Sequence, residues 1–404
     1  MVKKNKDVSK SEKEFDDDDF TSDLIKSLNK ERGSRVAYNL STDSSPTHVN
    51  RWISTGSVQL DYIISNQSSG GLPEGRIVEI FGPPSIGKSH IATQIAKSTQ
   101  QLGGIVVYID TENATSVDNL KLLGVDITKR FVYVDTHCTE EVLSIAESTI
   151  LKAKAMNKDV PVTIIWDSVA ATSPKAELLG DYDKETIGLQ ARAISKGMRK
   201  ITGILANEKV LMVCLNQIRT KVGVLYGDPT TTSGGMAIPF HSSVRIKLGA
   251  GQQILDKDKN PIGITVSAKT IKNKITAPFR TAEFEIIFGK GIREHEQIFD
   301  ELRKIGKFHS KDLEITIDGG GAWKNLLVTN TATGEVIADK KFYKSDFVKI
   351  MNDPEYSEYI KIALDAAYIK NSDELDQQVD FESYSEVEAA RDYIDESLSI
   401  DPEK

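Results

Sequence analysis

Gly82-Pro83-Pro84-Ser85-Ile86-Gly87-Lys88-Ser89 decides the fold. Its spacing is that of a phosphate-binding loop, G-x-x-x-x-G-K-[ST]. The run before it, Arg76-Ile77-Val78-Glu79-Ile80-Phe81, is short, apolar and β-branched, which predicts a buried strand. The run after it, His90 to Leu102, has Ile91, Ile95 and Ala96 at helical spacing. Strand, glycine loop and helix together turn a text match into a physical site. The glycines let several N–H groups face one point, and the helix N-terminus adds partial positive charge there. In such a site Lys88 reaches the outer phosphates and the Ser89 hydroxyl holds Mg²⁺. The competing reading is a glycine-rich turn with a chance Lys-Ser.

Further along the chain, apolar runs end in polar groups. Ile164-Ile165-Trp166 ends in Asp167, a candidate for the magnesium shell, although a strand-end Asp also caps turns. Ile105–Ile109 runs into Asp110-Thr111-Glu112. Either acid could polarise an attacking water, and periodicity does not choose between them. Val210–Leu215 ends in Asn216-Gln217, an amide able to sense a γ-phosphate. Ligands of open α/β sheets sit beyond such strand ends. The stretch from Arg219 to Gly235, with Lys221, Gly223, Gly227, Pro229 and Gly234, is too long and glycine-rich to be idle in a compact domain. Its backbone could track phosphates.

The 404 residues, 39% hydrophobic and 27% charged, suit a soluble globular chain of one large and one or two small domains. The net charge of -8 confines any nucleic-acid surface to a local patch. Cys138 and Cys214 lack partners at metal-ligand spacing; a buried free thiol is the favoured reading of Cys214, a disulfide the weaker one. No run approaches the roughly 18 apolar residues of a membrane span. No apolar segment follows Met1–Lys6, so no secretory signal is expected and a cytoplasmic setting is the default.

Five segments are expected. Residues 1–19 form a polar, acidic arm. Residues 20–50 hold a short helix with Phe20, Leu24, Ile25 and Leu28, a strand at Val36–Leu40 and a Ser/Thr/Pro linker. Residues 51–290 alternate strands and helices as parallel βαβ units do, and turn antiparallel towards the end. Residues 291–370 form a small α/β domain with a turn at Gly319-Gly320-Gly321, and residues 371–404 an acidic tail whose only bases are Arg391 and Lys404.

Several stretches together resemble the RecA recombinases: Gly75–Pro83, Asp167-Ser168-Val169-Ala170-Ala171, Pro174-Lys175-Ala176-Glu177, Asn216-Gln217-Ile218-Arg219 and Lys272-Asn273-Lys274-Ile275-Thr276-Ala277-Pro278-Phe279. Ser54-Thr55-Gly56-Ser57 and Leu123-Gly124-Val125-Asp126 agree, and the likeness covers roughly residues 50–330 in order. It implies a RecA-type P-loop ATPase core around a mostly parallel twisted sheet, with an N-terminal helix-strand arm and a small C-terminal domain. The implied activity is a DNA-dependent ATPase that forms helical filaments on single-stranded DNA and exchanges strands with homologous double-stranded DNA. By position, Gly82 to Ser89 and Asp167 serve ATP and Mg²⁺, Glu112 activates water, and Gln217 senses the γ-phosphate. ATP would lie between protomers, with Lys272 and Lys274 reaching it from the neighbour. DNA loops would span about 178–187 and 217–235, Ile187 and Val222 wedging between bases while Arg192, Arg199, Arg219, Gly234 and Gly235 hold backbone. The arm would dock on the next protomer, with Phe240 at its interface. Partners would extend to single-strand-binding and loader proteins.

The chain departs from the bacterial pattern in having Ser116 and Asn119 where an aspartate and a tyrosine flank the adenine, and Pro239 where a lysine is usual. The stretch after Trp323, through Thr329–Glu335, reads as an added hairpin, as in bacteriophage-encoded recombinases. The tail could compete with DNA for basic surface or merely solubilise. A RecA-type ring helicase and a non-catalytic recombination mediator are the alternatives; Glu112, Gln217 and the two lysines weigh against the second.

Overall fold

A computed structural model describes residues 17–42, 45–181, 188–220 and 230–370. The polar arm before residue 17, Ile187, Lys221, Val222 and the acidic tail lie outside the described residues. The contact pattern divides the chain into two units, residues 1–51 and 52–404.

In the first unit, helix α1 spans Asp17–Arg32 and stops at Gly33, whose φ is 64°. The strand expected at Val36–Leu40 does not form in the single chain. A strand needs a ladder partner; here the Asn29 side chain takes that place, its Oδ1 accepting from Val36 N at 2.7 Å and Ala37 N at 2.8 Å.

The second unit opens with a two-stranded pair, β1 (Trp52–Ile53) and β2 (Leu72–Pro73), around helix α2 (Val58–Ser65). The elements that follow are β3 (Ile77–Gly82), α3 (Lys88–Gln101), β4 (Ile105–Asp110), α4 (Val117–Leu122), β5 (Phe131–Asp135), α5 (Thr139–Met156), β6 (Val162–Asp167), α6 (Lys175–Leu178), α7 (Leu189–Glu208) and β7 (Val210–Thr220). Then come β8 (Thr230–Thr232), α8 (Ala237–His241), β9 (Val244–Leu255), β10 (Pro261–Asn273), β11 (Thr281–Ile287) and β12 (Gly291–Arg293). One large sheet runs in the order β12-β11-β10-β9-β3-β7-β6-β4-β5, with β8 paired to β7. From β9 to β5 neighbouring strands are parallel; from β9 to β12 they are antiparallel.

Strand β7 shows why this sheet is two-sided. Leu211, Val213 and Leu215 join the apolar cluster that takes in Ile91 and Ile95 of α3. Val210, Met212 and Cys214 join the opposite cluster with α5 and α7. A period of two sends alternate residues to opposite faces, and both faces are covered by helices, so the run reads as continuously apolar. Helix α7 buries Ile194, Met198, Ile201 and Leu205, one stripe at helical spacing. Cys138 and Cys214 are both free and buried.

The end of the described chain forms helix α9 (His295–Ile305), an antiparallel sheet of β13 (Lys307–Ser310), β14 (Leu313–Asp318), β15 (Trp323–Asn330) and β16 (Val336–Tyr343), and helices α10 (Phe347–Asn352) and α11 (Ser357–Tyr368). Strands β15 and β16 make a hairpin whose turn closes with Asn330 N donating to Glu335 O at 2.8 Å. These elements share an apolar cluster that includes Tyr62 of α2.

Candidate functional site

The parallel strands deliver their C-terminal ends to one edge. Gly82 of β3 stands in register with Gln217 of β7, and Asp110 of β4 with Asp167 of β6. Three strands, β3, β4 and β6, end there; β7, whose apolar run was expected to end at Leu215, carries Gln217 past this edge and continues to Thr220, paired with β8.

The phosphate loop depends on its glycines. A Cβ at Gly82 would lie 2.7 Å from the Leu248 carbonyl oxygen, and one at Gly87, whose φ is +93°, would lie 2.3 Å from Ile286 Cδ1. Gly87 is the N-cap of α3, so the helix N-terminus opens directly on the loop. Lys88 bends back, its Nζ donating to Pro83 O at 2.6 Å and Gly82 O at 3.1 Å. Burial pulls its pKa below the usual lysine value, against the upward pull of Asp167 and Glu112. The Ser89 hydroxyl hydrogen-bonds to Asp167. Burial raises the Asp167 pKa, and the hydrogen bonds from Tyr108 and Ser89 oppose that rise. These residues fit a nucleotide with its metal. The glycines leave a cradle that no side chain could share, and the donor set of ammonium, hydroxyl and carboxylate matches a polyphosphate and a hard divalent cation.

The geometry separates the two acids after β4. Asp110 is occupied as a cap: it accepts from Glu112 N at 3.0 Å, Thr115 N at 2.9 Å and Tyr133 Oη at 3.1 Å. Burial pushes its pKa up, but these bonds prevail and hold it below the usual carboxylate range. Glu112 is exposed, and its Oε1 accepts from Ser168 Oγ and from Gln217 Nε2, the latter at 3.1 Å. Thr111 ties the two strand ends together beneath it, donating through Oγ1 to Ser168 O at 2.7 Å and accepting from Ser168 N at 2.8 Å. Ser89, Thr93, Asp110, Glu112, Ser116 and Asp167 are among the residues lining the cleft that results. Asn119 lines it too, and its N–H donates to Ser116 Oγ at 3.3 Å to cap α4.

Lys272 and Lys274 lie elsewhere. Asn273 pairs with Val244, and Val244 with Val78 at the beginning of β3, so both lysines stand at the sheet end opposite the phosphate loop of the same chain. Lys272 Nζ donates to Pro239 O at 2.7 Å and Phe240 O at 3.0 Å; Lys274 and Phe240 are exposed.

Of the expected DNA contacts, Arg192, Arg199 and Arg219 are exposed, and Arg199 donates to Ser195 Oγ at 2.8 Å. Ile187 and Val222 lie outside the described residues. Gly234 and Gly235 have a packing reason to be glycine: with φ of 83° and 72°, their Cβ atoms would meet Ile194 Cδ1 at 2.6 Å and Ala191 Cβ at 2.9 Å.

Sequence reasoning missed a buried network behind the loop. Glu79 of β3, fully buried, accepts from Arg245 Nε at 2.6 Å and from Asn216 Nδ2 at 2.9 Å. Asn216 also donates to Ser233 O at 3.0 Å, which links β3 and β7 to the exit of the glycine-rich loop. The signal was present: a lone acid inside Ile77–Phe81 must find a cation or a donor.

Comparison with known proteins agrees with this architecture. A family profile described as RecA N-terminal domain matches residues 21–293. The protein named Protein RecA of Sulfurimonas denitrificans is 39% identical over 325 residues, which is 80% of this chain and 87% of the relative. That of Chlorobaculum tepidum is 38% identical over 299 residues, 74% of this chain and 80% of the relative. That of Helicobacter hepaticus is 42% identical over 272 residues, 67% of this chain and 73% of the relative.

Proposed function

The chain belongs to the RecA family, and we propose that it acts as an ATP-dependent recombinase assembling in helical filaments on single-stranded DNA. It is a nucleotide-binding and DNA-binding protein of homologous recombination and repair, a DNA-dependent ATPase that associates with copies of itself and pairs and exchanges homologous strands. The observation that carries the mechanism is the contact between Gln217 and Glu112, 3.1 Å apart. One is an amide of β7 opposite the phosphate loop, in the strand that leads into the glycine-rich loop; the other is the exposed carboxylate beside the phosphate loop.

ATP would be held by the loop N–H groups of Gly82 to Ser89 and by Lys88, whose ammonium exchanges carbonyls for phosphate oxygens. Ser89 and Asp167 would hold Mg²⁺, which neutralises charge on the phosphates when bound. Glu112 orients the attacking water and accepts its proton. Gln217, held by Glu112 in the single chain, turns to the γ-phosphate and so reports nucleotide state to the loop that follows it. Lys272 and Lys274 complete the site of an adjacent protomer, since they stand at the wrong end of the sheet to serve their own. DNA backbone would run past Arg192, Arg199, Arg219 and the Gly234-Gly235 turn, with Ile187 and Val222 between bases. Phe20, Leu24 and Leu28 of α1, all exposed, would dock on the next copy. Single-strand-binding and loader proteins, and a cytoplasmic setting, complete the reading; among the described residues no helix is long and apolar enough to cross a membrane.

Replacing Glu112 with Gln tests the assignment. Nucleotide binding should persist while hydrolysis falls by about 100-fold or more, the usual worth of a positioned base. Hydrolysis at the wild-type rate would remove Glu112 from the chemistry.

A further inference from the structure

Asp167 does not stand alone in its strand-end position. Tyr108, on β4 and 1% exposed, donates through Oη to Asp167 Oδ2 at 2.7 Å. The register explains the reach. Tyr108 is opposite Ile165, and Asp167 is two residues further along the same face of β6. The motif repeats one strand outward: Tyr133 is opposite Tyr108, and its Oη lies 3.1 Å from Asp110 Oδ2. Asp167 and Asp110 are thus each held by a tyrosine from the neighbouring strand. The ring of Tyr108 has its own packing, in the main apolar cluster and stacked on Phe131 with centroids 6.1 Å apart. A phenylalanine would satisfy all of that. The hydroxyl is the part that packing does not require.

We propose that Tyr108 is a positioning residue for the metal carboxylate. Its hydroxyl fixes the plane of Asp167 through Oδ2 and leaves the remaining lone pairs to the Ser89 hydroxyl and a divalent cation. The inference rests on the reading of Asp167 as that carboxylate. A carboxylate without such a partner must be oriented when the cation arrives, and partners of this kind are typically worth roughly 10- to 100-fold in metal affinity. The other donor to the same side chain, Ser89, is itself assigned to the cation through its oxygen, so Tyr108 is the donor that holds Asp167 whether or not the cation is bound.

The test uses the full chain and a fluorescent ATP analogue whose equilibrium binding is followed against free Mg²⁺, and separately in EDTA. Wild type is compared with Tyr108→Phe, Asp167→Asn and the double variant, each with its thermal melt. Tyr108→Phe should raise the half-saturating Mg²⁺ about 10-fold, with binding in EDTA and the melting temperature unchanged. Asp167→Asn should abolish the Mg²⁺-dependent gain, and the double variant should behave as Asp167→Asn alone. A Tyr108→Phe curve that overlays wild type, while Asp167→Asn shifts, would show the hydroxyl to be irrelevant to the cation. A Tyr108→Phe chain that no longer melts cooperatively would make the hydroxyl a folding requirement and equally overturn the proposal. An Asp167→Asn curve that overlays wild type would instead overturn the metal assignment of Asp167 itself.

Discussion

Gln217 Nε2 lies 3.1 Å from Glu112 Oε1, joining two residues 105 positions apart. The bond connects Gln217 within β7 to the turn after β4, and it exists because Gln217, opposite the last residue of β3, and Glu112 come to the same edge of the parallel strands, with β6 between β7 and β4. In the single chain it occupies both the candidate sensor and the candidate base. In the proposed mechanism, nucleotide and a completed protomer interface would have to break it, so an isolated protomer should hydrolyse ATP slowly.

Replacing Gln217 with Ala should therefore uncouple the two ends of this contact. Nucleotide binding should persist, because the phosphate loop is untouched, while the difference in single-stranded DNA affinity between the ATP-bound and ADP-bound forms should shrink by about 10-fold, the scale of a typical coupling energy. Fluorescence anisotropy with a labelled oligonucleotide reads this directly; an undiminished difference would show that the loop takes its signal from elsewhere.

Arg245 and Glu79 make a second prediction. Their pair, 2.6 Å apart, closes against a fully buried carboxylate, and the Arg245 guanidinium also lies over the Phe81 ring at 4.7 Å. Among the described residues Arg245→Met leaves Glu79 hydrogen-bonded to Asn216 alone, so the fold should lose about 3 kcal/mol in urea unfolding. Adding Glu79→Gln should restore part of that loss, because the stranded charge is removed. Equal stabilities for the wild type and the single variant would mean that solvent or a rearranged donor reaches Glu79.

A pH dependence follows from two carboxylates at the start of α2. Burial pushes Asp61 up to about 7 although Ser54 and Thr55 donate to it, and burial pushes Glu294 up to about 7 although Ser57 and Val58 donate to it. The folded chain holds protons that the unfolded chain has released above about pH 4. Their contribution to stability is thus fully present below that value and is lost as pH rises through 7. Between pH 5 and 8, wild type should lose stability relative to Asp61→Asn, measured by urea unfolding at each pH. Parallel curves for the two chains would place the charged form in the native state throughout.

The architecture was legible from the loop at Gly82–Ser89 and the apolar runs on either side of it, because buried parallel strands are continuous in hydrophobicity and end in polar residues. The hairpin formed by the distal halves of β9 and β10 was not: from Gly249 to Gly263 the residues are mostly polar or exposed, so no face of the pattern marks a strand. The strand expected at Val36–Leu40 failed for the opposite reason. Its composition suits a strand, but pairing is not a property of one segment. Within the site, sequence identified the groups at strand ends and left Asp110 and Glu112 tied on periodicity. Only the fold shows that Asp110 is consumed by Thr115 and Tyr133 while Glu112 faces Gln217. Tyr108 was hidden because a tyrosine in Ile105–Asp110 reads as apolar filling until the strand beside it is known.

The most direct test of the recombinase reading is ATP hydrolysis with and without single-stranded DNA, with electron microscopy of the same samples. Strong stimulation by DNA together with open helical filaments is the predicted result. Stimulation with closed rings would contradict it in favour of a helicase, and filaments without hydrolysis would reduce the protein to a mediator.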